Sequence, residues 1–272
     1  MSSELAQAAA VLRRCGDPVL RRVRLRHGGN CAIYIGSGLV LRVGRSWPLN
    51  TAQELRCWQV ARDHGVPAPE GVDSGVLPNG RPYLVYRHVA GLPVVSRSGL
   101  AAAGATLASL HAVPGDRFPR ETHNLPRRKA RYDTALRGRR AVGVRDGSWA
   151  DAVLRRAARD WRTSHEVAGH GDFRSPNLVA GKARVALVLD WSDARAASPE
   201  SDLGQLAVEQ LEPVLAGYLA HARRPPDLEL VAGHALARHV ALEVGGVFPA
   251  GTSARISLAL RERSRPRRWA CA

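Results

Sequence analysis

The sequence has no apolar run approaching the roughly 18 to 20 residues of a membrane-spanning helix, so no helical span is expected. Met1 to Leu12 lacks the basic stretch leading into a long apolar one that marks a secretory signal. Cysteine is scarce: Cys15, Cys31, Cys57 and Cys271 lie far apart and form no C-x-x-C pair. That spacing argues against a zinc site and a disulfide framework, and free thiols in a reducing cytoplasm are the plain reading. Lysine is nearly absent, with only Lys129 and Lys182. Aromatic residues make up 5% of the chain and form no RNA-binding pattern.

Arginine is abundant instead, and the formal net charge is +16. Such a charge suggests nucleic acid, because phosphate neutralisation drives that association. The arginines, however, are spread over the whole chain and accompany no zinc-finger or helix-turn-helix pattern. An Ala- and Gly-rich composition with Arg in place of Lys also fits GC-rich coding. Nucleic acid is therefore not an expected partner. At 272 residues and 45% hydrophobic content, the chain can bury a full core in one large domain or two lobes.

The chemistry concentrates in His170-Gly171-Asp172-Phe173-Arg174-Ser175-Pro176-Asn177, followed thirteen residues after Asn177 by Asp190-Trp191. Asp172 is placed to accept a proton from an attacking hydroxyl, and Asn177 and Asp190 are hard oxygen ligands suited to magnesium. Between them, Leu178-Val179-Ala180 and Val185 to Leu189 read as two short apolar strands joined at Gly181-Lys182. A hairpin folded this way brings Asn177 and Asp190 side by side. Arg174, two residues past Asp172, either neutralises a transferring phosphoryl group or braces the loop.

The motif H-G-D-x-x-x-x-N with a following strand and Asp-Trp resembles that of the aminoglycoside phosphotransferase and choline kinase superfamily. The resemblance implies an α+β, bilobal protein-kinase-like fold with a β-rich lobe over residues 1–90 and a larger, mainly helical lobe over 91–272. It also implies phosphoryl transfer from ATP, or GTP, with Mg2+. Asp172 is then the catalytic base, and Asn177 and Asp190 hold the metal.

Upstream, Val23 to Leu25, Cys31 to Ile35 and Leu39 to Val43 read as strands, with a turn at Gly36-Ser37-Gly38. The pair Gly28-Gly29 lets backbone amides approach a phosphate, although a plain hairpin turn reads equally well. By the resemblance it occupies the place of the nucleotide-covering loop. Arg42 stands where kinases usually carry a phosphate-binding lysine, and Glu54, on a helix over Thr51 to His64, is its candidate partner. Arg offers a bidentate fork where Lys offers a point charge. Strands near Gly71 to Val76 and Pro82 to Tyr86 lead to Arg87, His88 and Val89, where the resemblance places main-chain contacts to the nucleotide base.

Beyond residue 92 the periodicity turns helical, first over Leu100 to His111, with His111 read as a packed histidine. Residues 114–148 are either an irregular insert or a pair of short helices. Trp149 to Trp161 recovers helical spacing. Ser198-Pro199-Glu200-Ser201-Asp202-Leu203 resembles the family's Pro-x-x-Asp-Leu element. Asp202 is expected to tie the catalytic loop to the helical lobe, and Ser201 or Asp202 to cap a helix. Asp193 is either a second-ion or substrate ligand or an exposed turn carboxylate. Helices over 203–222, 227–246 and 252–263 complete the reading.

The expected acceptor is a hydroxyl-bearing small molecule such as an antibiotic, natural product or sugar, neutral or anionic because few carboxylates stand among the arginines of the second lobe. Two other readings stay open. One is a kinase acting with a lyase partner on Ser or Thr of a ribosomally made precursor peptide. The other is a nucleotide-binding scaffold without turnover.

Overall fold

Strand alternation decides how the first ninety residues pack. The structure, a computed structural model, describes residues 3–18, 22–25, 31–45, 49–120, 125–144, 147–164, 166–182 and 184–263. It opens with helix α1 (Ser3–Arg14) and strands β1 (Arg22–Leu25), β2 (Cys31–Ile35) and β3 (Leu39–Gly44). Helix α2 (Thr51–Asp63), β4 (Gly71–Val76) and β5 (Pro82–Arg87) follow. The five strands make one antiparallel sheet in the order β1-β2-β3-β5-β4.

Successive side chains point to opposite faces of a strand. Ala32, Tyr34, Leu41, Val43, Tyr83 and Val85 accordingly pack on one face against Ala8, Val11 and Leu12 of α1. Val40, Leu84 and Tyr86 face the other way and join Cys57, Trp58 and Ala61 of α2. The reading above assigns no helix to the N-terminus. The Ala-rich stretch carries few large apolar residues of its own, and its helix is completed by the sheet face it covers.

The turn between β2 and β3 is held from outside. Asp17 accepts from the amides of Ser37 (3.0 Å), Gly38 (2.8 Å) and Leu39 (2.9 Å) and from the Ser37 hydroxyl. A Cβ on Gly36 would collide with that carboxylate. Burial alone would raise the Asp17 carboxyl, but the Ser37 hydroxyl and the three amides hold it well below the usual carboxylate range.

The remainder is mainly helical: α3 (Arg97–His111), α4 (Leu125–Gly138) and α5 (Gly147–Thr163). Strands β6 (Val167–Gly169), β7 (Leu178–Ala180), β8 (Val185–Val188) and β9 (Arg195–Ala197) pair as β6-β9 and β7-β8. Helices α6 (Pro199–Leu203), α7 (Val208–Leu219), α8 (Leu228–Val244) and α9 (Thr252–Arg263) close the chain's described part. The caps are legible: Ser96 accepts from Gly99 N at the start of α3, and Asp227 from Glu229 N and Leu230 N at the start of α8. Helices α3 and α7 touch backbone to backbone, because a Cβ at Gly104 or Gly217 would run into the carbonyl oxygen of Val214 or Ala101.

Three expectations differ from the structure. Among the described residues of 114–148, a 3-10 turn at Gly115–Arg117 precedes one 14-residue helix, α4, in place of a wholly irregular insert or a pair of short helices, and α5 begins at Gly147. The helix expected over 203–222 is broken between Leu203 and Val208. Gly204 packs against the backbone of α8, where a Cβ would lie 3.0 Å from Ala235 N and closer still to His234. The N-cap of α6 is Ser198, so neither Ser201 nor Asp202 caps it.

Candidate active site

The β7–β8 hairpin carries the two ends of the motif together. The Leu189 amide donates to the Asn177 carbonyl at 2.7 Å, so Asn177 and Asp190 enter and leave the hairpin as neighbours. The Val94 amide donates to the Leu178 carbonyl (3.0 Å) and the Ala180 amide to the Leu92 carbonyl (2.8 Å), while Ser175 Oγ donates to the Val94 carbonyl. The segment following β5 is thereby fastened to the loop that carries Asp172.

Within that loop Asp172 is the hub. Asn177 Nδ2 donates to its carbonyl (2.9 Å) and to Oδ2 (2.8 Å), and Arg174 Nε donates to both Oδ1 and Oδ2 at 2.9 Å. Because the Asn177 NH2 is committed to Asp172, its carbonyl oxygen is the atom left to meet a cation. His170 is fully buried. Its Nε2 lies 3.0 Å from the Leu189 carbonyl, which can only accept, so Nε2 carries the proton and Nδ1 accepts from the Asp172 amide at 3.2 Å. The His170 ring stands edge-on to Trp191, centroids 4.9 Å apart.

Asp202 fulfils the expected tie. It accepts from the amides of His170 (2.7 Å) and Gly171 (2.6 Å) and from His111 Nε2 (3.2 Å), whose Nδ1 meets the Tyr218 hydroxyl at 3.0 Å. Burial pushes the Asp202 carboxyl up. The His111 bond and charge, nearby His170 and its amide outweigh burial and hold it below the usual range. Gly171 has φ 80°, and a Cβ there would strike the Asp193 carbonyl oxygen.

Across the cleft, register pairs Arg42 with Ile33 and Leu84, on the α2 face of the sheet. Arg42 Nη2 donates to Glu54 Oε2, and Nη1 lies 3.7 Å from Asp190 Oδ1. Both Arg42 and Glu54 are buried. Burial works against the Arg42 charge, but the carboxylates of Glu54 and Asp190 outweigh it and keep the guanidinium protonated. Arg42 Nε is buried with no hydrogen-bond partner among the described residues, a donor left over for an acceptor such as a phosphate oxygen. Asp190 adopts φ 63° and ψ 65° and is the sole non-glycine residue with positive φ among those described. Ser192, two residues on, donates to its Oδ1 at 3.0 Å.

Among the base-contact candidates, the Arg87 amide is taken by the Glu70 carbonyl (3.1 Å) and the His88 amide by the Gly38 carbonyl (2.9 Å). The Val89 N–H is uncommitted among the described residues. Gly28 and Gly29 lie outside the described residues. Reading the motif by spacing singles out neither Ser192, His111-Tyr218 nor Cys31. Cys31 shares the Arg42 face of the sheet by strand alternation. The Ser192 signal was its position two residues past Asp190, and the Cys31 signal was the parity of β2.

The profile of the phosphotransferase enzyme family matches residues 9–234. No curated protein matches the chain. Among solved structures, a macrolide 2'-phosphotransferase, MphH, from Brachybacterium faecium is 19% identical, covering 93% of this chain and 97% of its own, with a TM-score of 0.57. A choline/ethanolamine kinase family protein from Mesorhizobium loti is 21% identical over 97% of this chain and 94% of its own, with a TM-score of 0.60. A spectinomycin phosphotransferase bound to ADP and spectinomycin is 12% identical over 94% and 93%, with a TM-score of 0.57. These likenesses establish a protein-kinase-like fold, and with the matched profile they lead to one conclusion: the chain belongs to the phosphotransferase enzyme family.

Proposed function

We propose that the chain is an ATP-dependent kinase that transfers the γ-phosphoryl group to a hydroxyl of a small molecule. The observation that carries this is the convergence of Asp172, Asn177 and Asp190 at the hairpin ends, facing Arg42. In this reading Asp172 orients the acceptor hydroxyl and takes its proton, and Arg174, anchored through Nε, turns its remaining nitrogens to the charge that develops on the transferring group. The Asn177 carbonyl oxygen and the Asp190 carboxylate suit Mg2+, which when bound offsets phosphate charge. Arg42 Nε and the amides around Gly28 and Gly29 hold the phosphates. The base meets the Val89 N–H and the Arg87 carbonyl. GTP is the alternative donor, since main-chain contacts alone do not fix the base.

A division near residue 90, with the nucleotide held between the sheet and the helical part, is the arrangement this reading uses. The acceptor is neutral or anionic. Each carboxylate at the reacting centre is already paired, Asp172 with Arg174, Glu54 with Arg42, and Asp190 with Arg42 and Ser192. These pairings already offset much of the negative charge an ammonium group would need. The test is a magnesium-dependent ADP-release assay over hydroxylated antibiotics, sugars and Ser/Thr peptides, with Asp172→Ala as control. Acceptor-dependent turnover that vanishes in the variant is the expected result. Equal turnover in the variant would overturn the assignment.

A further inference from the structure

Arg42 reaches two carboxylates at once through two different nitrogens. Its planar fork sends Nη2 to buried Glu54 and Nη1 to within 3.7 Å of Asp190 Oδ1, while Nε has no partner among the described residues. The Asp190 side chain is 40% exposed, so its carboxylate also faces the open cleft. A cation approaching Asp190 therefore meets an oxygen whose charge is partly balanced by a fixed guanidinium and whose lone pairs are partly used by Ser192.

We propose that Arg42 is an internal counter-ion for Asp190. It competes with the divalent cation for that carboxylate until nucleotide phosphates draw the guanidinium toward themselves. Metal and nucleotide then bind as a pair, each removing the obstacle to the other, and the reciprocity follows from linkage. The planar fork lets one nitrogen hold Glu54 while another faces Asp190. The inference rests on the reading of Asp190 as a metal ligand.

The probe is Mn2+ itself, followed by electron paramagnetic resonance of the free ion, with the whole protein nucleotide-free and then saturated with ADP. Wild type should bind Mn2+ weakly alone and far more tightly with ADP. Arg42→Lys keeps a charge beside Glu54 but has a single nitrogen. Arg42→Met combined with Glu54→Gln removes the ion pair without leaving a buried charge. In both, nucleotide-free Mn2+ affinity should rise by about five- to ten-fold, as expected for losing one partly exposed ion pair, and the gain from ADP should shrink. Unchanged or weaker nucleotide-free affinity in both variants overturns the counter-ion role while leaving the site intact. If ADP-loaded wild type binds no Mn2+, or Asp190→Ala binds it equally well, the metal site itself falls and the proposal with it.

Discussion

The Gly171 amide donates to Asp202 Oδ1 at 2.6 Å, across 31 residues of sequence and inside the protein core. With the His170 amide on Oδ2, this bond fixes the backbone that presents Asp172. Asp202 is therefore a positioning residue, acting through the loop it holds.

Replacing Asp202 by Asn turns one acceptor oxygen into an NH2 group facing an amide or imidazole donor. We predict a loss of about 2–3 kcal/mol in unfolding free energy, the cost of leaving buried donors unmatched. Urea denaturation gives the number, and a variant as stable as wild type would remove the argument.

The Arg174 side chain bonds Asp172 through Nε alone, while the Arg174 carbonyl accepts from the Asn177 amide at 2.8 Å. If its free nitrogens neutralise the transferring group, Arg174→Ala lowers kcat by about a hundred-fold with acceptor KM little changed. A loop brace would instead show a lowered melting temperature with kcat nearly intact. Steady-state kinetics and a thermal melt on one preparation separate the two.

Asp17 predicts an acid-sensitive N-terminal region. Its carboxyl is held below the usual range in the folded chain, so the unfolded chain takes up a proton first as pH falls. The stabilisation is complete above the unfolded value of about 3.9 and fades below it. Asp17→Asn should cost roughly 1–3 kcal/mol at neutral pH, with the gap to wild type narrowing below about pH 4. A gap that stays constant between pH 7 and pH 3 would contradict this.

Cys31 lies on the cleft face beside Arg42, half-buried at the start of β2. Burial pushes its thiol up, only partly opposed by Arg42, and Cys57 is pushed up to about 12 by burial. N-ethylmaleimide at neutral pH should label Cys31 slowly and Cys57 not at all. A bound adenine nucleotide should slow Cys31 further, as read by peptide mass spectrometry. Labelling indifferent to nucleotide would place the phosphates elsewhere.

Much of the site was legible because it is local. The spacing from Asp172 to Asn177 to Asp190 is bridged by one hairpin, so short-range strand pairing alone brings those residues together. The pairing of Arg42 with Glu54 was legible for a related reason, strand parity followed by a helix whose first turn carries the carboxylate. The N-terminal helix, the single α4 and the break after Leu203 were not legible. Each depends on a partner surface far away in sequence: the β2–β3–β5 face for α1, α8 for α4 and for Gly204.

The sequence by itself determined the strands of the sheet, the sheet-then-helices plan and the spacing of the candidate site residues, because these follow from periodicity and turn chemistry. Only the tertiary structure decided how those groups are engaged. It set Arg174 on both Asp172 oxygens, Arg42 between Glu54 and Asp190, and Asp202 beneath the loop, and it left the Val89 N–H uncommitted among the described residues while the amides of Arg87 and His88 are bonded. The physical reason is that hydrogen-bond and charge partners are chosen by distance in space, at about 3 Å, and no local rule of the chain encodes that distance across a hundred residues.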